Sequence, residues 1–150
     1  MANPLRRAPF HPAPRAPGTH VAVALGGGFG TLARYALDRA IPTTAGHFPT
    51  ATLLINLGGS LLIGLLLPLA LAQTDRRPLL RPFAITGVLG GWTTYSALAT
   101  DAATLFKAGH VALAFGDLGA TVVGGLALVA AGFFLSPAHT YVRYRRGSER

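Results

Sequence analysis

The chain alternates four long apolar stretches with short polar ones. The apolar stretches cover about residues 21–41, 48–72, 82–106 and 111–135. Each reaches the roughly 20 residues that an α-helix needs to cross a bilayer. Residues 1–20 hold five prolines and three arginines. No helix or strand survives that density of proline, so this stretch reads as a disordered basic tail. The apolar run from Val21 passes through glycine-rich sequence into Arg34 without a small-residue cleavage site, which argues against a secretory signal. Residues 136–150 form a second, arginine-rich tail. The pattern predicts an all-α membrane protein, with four transmembrane helices over residues 21–135 between two basic ends.

Polar residues inside the apolar stretches are the candidates for chemistry. The third stretch contains GVLGGWTTYSALATD, residues 87–101. Glycine is the poorest helix former after proline, so Gly90–Gly91 weakens the helix where lipid offers backbone groups no partner. Thr93, Thr94 and Ser96 then supply hydroxyls. Non-helical backbone at that depth is tolerated only against protein or a wet cavity, so the run predicts a broken helix around a polar site. A competing reading is close helix packing, since Gly87 and Gly91 make a GxxxG. In the second stretch Asn56 stands out, with Ser60 one turn later and Pro68 expected to bend the helix. An amide in hydrocarbon needs a partner, which is either another helix or a passing anion.

The first stretch carries GGGFGTLARY, residues 26–35. It matches a dinucleotide fingerprint in form, but the next acids are Asp38 and Asp75, neither at the required distance of about 20 residues. Gly26 and Gly30 suit helix packing instead, and Arg34 is expected to extend its stem to the membrane interface. In the fourth stretch Gly116, Ala120 and Gly124 make a small-residue face. Thr121 is its mid-membrane hydroxyl, and Asp117 is expected at the interface.

Composition narrows the class. The 150 residues fit one domain. They are 51% hydrophobic and 12% charged, against about 25% charged in soluble chains. There is no cysteine, hence no disulfide or thiol chemistry. No paired carboxylates, nucleophile triad or metal-ligand cluster stands out in the sequence, so an enzyme is not expected. The net charge of +8 comes from arginines in the tails and one loop, which favours a topological explanation over nucleic acid. Four spans put both termini on one side. That side holds Arg6, Arg7, Arg15, Arg76, Arg77, Arg81, Arg143, Arg145, Arg146 and Arg150. The other holds Arg34, Arg39 and Lys107. The positive-inside rule places both termini in the cytoplasm of a plasma-membrane protein.

Three motifs together resemble the Fluc (CrcB) family of small fluoride channels: GGxxGxxxRY at residues 26–35, the Asn of LLINLGGSLLIG, and GVLGGWTTYSALATD. The last is similar to the family pattern G-F-C-G-G-F-T-T-F-S-T-F-S-x-E. The resemblance covers residues 21–135. It implies an antiparallel, dual-topology dimer of four-helix subunits with fluoride pores, and export of fluoride from the cytoplasm. It also implies a central structural sodium on main-chain carbonyls, by position Gly90 and Thr93. Pore roles fall on Asn56, Tyr95 and Ser96, on Leu98 in an aromatic position, and on Thr121 by a looser match. The chemistry agrees: amide N–H and hydroxyl groups can replace the water around fluoride, and an aromatic edge faces an anion without full charge. This chain departs from the pattern at Tyr95, Ala97, Leu98 and Asp101. The ten-to-three arginine and lysine bias also disfavours insertion both ways. A heterodimer with an oppositely oriented family member is therefore expected over a homodimer. The alternatives are a non-conducting or half-conducting subunit of such a pair, and a small proton-coupled exporter with Asp101 as its acid.

Overall fold

A computed structural model describes residues 16–44 and 46–140, and these are helical apart from short connections. Helix α1 spans Thr19–Ala40 and α2 spans Thr50–Ala72. The third segment begins with a π-helical stretch, Pro82–Leu89, and continues as one α-turn, Gly90–Trp92. Helix α3 follows over Tyr95–Lys107, and α4 spans Val111–Leu135. No strand occurs among the described residues. The all-α expectation and its four helical segments are thus met. Most of both basic tails lies outside the described residues, except that α1 already starts at Thr19. Gly18, at φ 83°, takes the left-handed conformation that lets the chain turn into that helix.

Helices α2 and α4 are long and apolar enough to cross a membrane. The other two segments fall short for identifiable reasons. Helix α1 carries Arg34, Asp38 and Arg39 in its second half, and the third segment is divided between separate helical pieces. Helix α2 continues through Pro68, which is buried. Large apolar side chains face outward along α1 and α4: Leu25, Phe29, Leu32, Phe115, Val123 and Leu126 are each 64–69% exposed. A water-soluble domain would bury such a stripe, whereas lipid or a second subunit covers it at no hydrophobic penalty.

Glycines set the helix spacing. A Cβ on Gly26 would run into the carbonyl of Phe83, and one on Gly30 into that of Val88. Gly91 meets the Gly27 carbonyl in the same way. Helix α1 therefore lies backbone to backbone against residues 82–92. On the other side Gly64 meets Val129 and Gly132 meets Leu61, which brings α2 equally close to α4. Gly26 and Gly30 meet Phe83 and Val88 in turn, and Leu57, Ser60 and Gly64 meet Gly124, Gly125 and Val129 in turn, so α1 runs parallel to the third segment and α2 parallel to α4. Small residues are how membrane helices approach this closely, because lipid supplies no hydrophobic drive between helices.

Gly30→Leu is expected to destabilise by about 2 kcal/mol or more through overpacking against backbone. Gly28, on the same helix, has nothing within 4 Å of where a Cβ would stand. Gly28→Ala should be neutral or gain up to about 1 kcal/mol from helix propensity. Denaturant titration in detergent micelles measures both.

Candidate functional site

Between the turn Gly90–Trp92 and α3 the backbone is extended at two residues, Thr93 (φ −73°, ψ 154°) and Thr94 (φ −146°, ψ 118°). The side chain of Asn56, one helix away on α2, takes hold of Thr94 at both backbone groups. The Thr94 N–H donates to Asn56 Oδ1 at 2.9 Å. Asn56 Nδ2 donates to the Thr94 carbonyl at 3.1 Å. The amide thus pairs with Thr94 as a neighbouring β-strand would. Both partners are buried, with Asn56 and Thr94 each 8% exposed. Thr94 also caps α3: the Ala97 N–H donates to Thr94 Oγ1 at 3.1 Å.

Two carbonyls lose their helical partners as a result. In a continuous α-helix the Gly90 carbonyl would accept from Thr94 N–H, and the Thr93 carbonyl from Ala97 N–H. Asn56 Oδ1 takes the first amide and Thr94 Oγ1 takes the second. The surrounding bonds fix the geometry. Thr93 donates through both its N–H and its hydroxyl to the Leu89 carbonyl, each at 3.0 Å. Trp92 Nε1 donates to the Ile55 carbonyl at 2.8 Å. Residues 92–94 are therefore tied to α2 at Ile55 and Asn56, one residue apart.

A crevice of about 210 Å³ opens beside this point, lined by Thr31, Arg34, Tyr35 and Asp38 from α1, Thr52 and Ile55 from α2, and Thr94 and Ala97. It receives the N-terminus of α3, the positive end of its dipole. Thr52 donates to Asp101 Oδ2 at 2.6 Å, which anchors α3 to α2 a second time. The Thr94 and Ser96 hydroxyls lie 3.2 Å apart.

The sequence-derived candidates distribute unevenly over this arrangement. Asn56, Gly90, Thr93 and Ser96 gather around the extended pair. Tyr95 begins α3 but points away and is 83% exposed, whereas Leu98 is buried at 5% exposure. Thr121 lies on α4 with its hydroxyl buried and unpaired. Three expectations need correction. Gly90 and Gly91 stay helical, and the extended residues come after them; the absent side chain at Gly91 serves the close approach to Gly27. Arg34 lines the crevice, with its Nε buried and unpaired. Asp117 is not at an exposed interface: it is 0% exposed and both its carboxylate oxygens lack partners. Sequence reasoning passed over Thr52, Trp92 and the backbone of Thr94. Thr52 and Asn56 are spaced i, i+4, which was the available signal that one face of α2 is polar.

Comparison with known proteins bears on what such a site serves. The family described as CrcB-like protein, Camphor Resistance (CrcB), matches residues 21–133. The chain belongs to the CrcB family. It is 42% identical over 132 residues to fluoride-specific ion channel FluC 2 of Nocardia farcinica, covering 88% of this chain and 91% of the relative. It is 42% identical over 114 residues to fluoride-specific ion channel FluC of Paracoccus denitrificans, covering 76% and 90%. The corresponding protein of Stutzerimonas stutzeri is 44% identical over 116 residues, covering 77% and 94%. With its apolar helices, this CrcB-family chain is a membrane protein.

Two substitutions probe the site's energetics. Asn56→Ala orphans the N–H and the C=O of Thr94 and should cost about 1–3 kcal/mol for each. Asp117→Asn removes the acid from this fully buried position without partners at nearly constant shape and is expected to be neutral or stabilising, since an unpaired ionised carboxylate costs more to bury than an amide. Thermal unfolding of the purified chain in detergent gives both signs.

Proposed function

We propose that this chain is a subunit of a fluoride-specific ion channel that lets fluoride leave the cytoplasm. The two-point grip of Asn56 on Thr94 is the observation that carries the reading, together with the names its relatives bear. Fluoride is small and strongly hydrated, so a pore must replace its water with N–H and O–H donors. Asn56 Nδ2 has a second N–H beyond the one given to Thr94. The Ser96 hydroxyl and the unpaired Thr121 hydroxyl extend the set. The third segment acts as a broken helix, and the positive end of α3 favours an anion without a full charge that would trap it. In a cell whose interior is negative, an anion is driven outward by about 2.3 kcal/mol per 100 mV. A passive pore therefore suffices for export.

A sodium ion bound by the Gly90 and Thr93 carbonyls fits the same geometry. Carbonyl oxygens are hard donors suited to hard cations, and these two have lost the amides that a helix would give them. Gly90 is exposed, with nothing within 4 Å of where a Cβ would stand, so its carbonyl region is accessible to an opposing subunit. When bound, the ion would stabilise the extended pair and join two subunits. Tyr95, at 83% exposure, would face the dimer partner or the pore rather than the interior of its own subunit. Leu98 would then line no pore from within this subunit unless α3 turns.

The dimer is read as antiparallel in the plasma membrane. The charge bias supports a fixed orientation for this chain, with both termini cytoplasmic, and a partner of opposite orientation from the same family. A chain contributing the sodium site and only part of the pore is the second reading, favoured by Leu98 standing where the family has an aromatic ring.

The first test is fluoride efflux from liposomes holding this chain alone, read by electrode against chloride. Fluoride-selective efflux that appears only with an oppositely biased family member supports the heterodimer. Selective efflux from the chain alone supports a homodimer and removes the charge argument. Chloride passing as fast as fluoride in every combination contradicts the channel reading. For the ion, replacing sodium by N-methylglucamine should lower thermal stability, by about 2.7 kcal/mol if sodium had stood at 100 times its dissociation constant. An unchanged melting curve contradicts a resident sodium.

A further inference from the structure

An apolar groove lies at the end of the bundle opposite the crevice, where α1 begins and the loop after α2 enters the third segment. It encloses about 750 Å³ and is lined by Val21 and Leu25 of α1, by Leu79, Leu80 and Phe83 of the facing chain, and by Arg77. Val21 is 61% exposed, Leu25 65% and Phe83 39%, so the apolar wall is open. Across Pro78 a second cavity of about 690 Å³ is lined by Thr19, His20, Thr74, Arg81 and Thr86. Arg77 lines the groove, Arg81 lines the second cavity across Pro78, and Arg76 precedes Arg77 in the chain; all three are exposed. Asp75 is the one acid beside them in the chain, and it is also exposed.

We propose that this groove binds an anionic phospholipid, with an acyl chain against Val21, Leu25 and Phe83 and the phosphate on Arg77 and Arg81. The chemistry selects this occupant. The groove is apolar at its base and cationic at its lip, which matches a molecule with a hydrocarbon chain and an anionic head. Basic pockets of this kind at the cytoplasmic end of membrane helices take anionic headgroups. Guanidinium groups suit the task because they hold phosphate oxygens in a bidentate fork. The chain's own residues 1–15 are a poor match: they carry Arg6, Arg7 and Arg15 and no acid. A second copy of this chain is also a poor match. Of the acids among the described residues, Asp117 is fully buried and Asp101 is engaged by Thr52, while the two exposed ones, Asp38 and Asp75, stand at opposite ends of the bundle, so no acidic patch matches three arginines. The site adds a reason for the position of these arginines beyond topology. Phe83 and Leu80 flank the start of the π-helical stretch, so the lipid would brace the end of the segment that leads to Thr93 and Thr94. The proposal rests on the chain being a membrane protein and not on fluoride conduction.

The test places a reporter in the groove. Phe83→Trp puts an indole there, and subtracting the unaltered chain removes the Trp92 signal. The variant is reconstituted in phosphatidylcholine vesicles containing either phosphatidylglycerol or phosphatidylcholine with brominated acyl chains. Brominated phosphatidylglycerol is expected to quench the introduced indole preferentially, with a relative affinity on the order of fivefold for each arginine engaged. Arg77→Gln with Arg81→Gln should bring the relative affinity near one. Native mass spectrometry of the unaltered chain, titrated with the same two lipids, should rank them in the same order without any substitution. Equal quenching by both lipids would overturn the proposal and leave bulk lipid as the occupant. Quenching by neither would overturn it too, because the groove would then be covered by protein, either the N-terminal residues or a second subunit.

Discussion

The site depends on one side chain pairing with a backbone. Membrane interiors make extended backbone expensive, since an unpaired N–H or C=O has no water to turn to. Thr94 is extended and buried, and Asn56 satisfies both of its backbone groups. An amide is the one neutral side-chain group that donates and accepts at once with this spacing. Asp in the same place would accept only, and Leu would do neither. The bonds of Thr93 to Leu89 and of Trp92 to Ile55 then leave residues 92–94 little freedom.

The glycine contacts make this grip geometrically feasible. Asn56 can reach Thr94 because α2 lies close against Trp92 and Thr93 at Gly59. A Cβ on Gly59 would collide with the Thr93 methyl, so even the α2 residue nearest the extended pair has to be small. The same diversion of amides that satisfies Thr94 frees the Gly90 and Thr93 carbonyls. One arrangement thus leaves an amide N–H of Asn56 and two main-chain carbonyls without helical partners. The proposed anion path and cation site draw on these groups.

Much of the fold was legible because hydropathy and length are local properties. The four apolar stretches correspond to four helical segments with bounds shifted by a few residues, α1 starting at Thr19 rather than Val21. The type of polar residue in residues 87–101 was legible too. Its geometry was not. Glycine weakens a helix in isolation, which points to Gly90–Gly91 as the break, yet both are helical, and Gly91 is packed against the Gly27 carbonyl. The π-winding of Pro82–Leu89 has no signature in the motifs. Asp117 was misplaced because α4 is apolar on nearly every side, so its pattern does not say which face is inward. The partner of Asn56 is 38 residues away in the chain, and no periodicity links the two.

Amide hydrogen exchange at Thr94, followed in lipid nanodiscs, tests the grip most directly. The account predicts that the Thr94 amide exchanges as slowly as the amides inside α2, although its backbone belongs to no helix. Exchange as fast as in the exposed connecting loops would contradict it, because Asn56 would then not be holding the backbone around which the site is built.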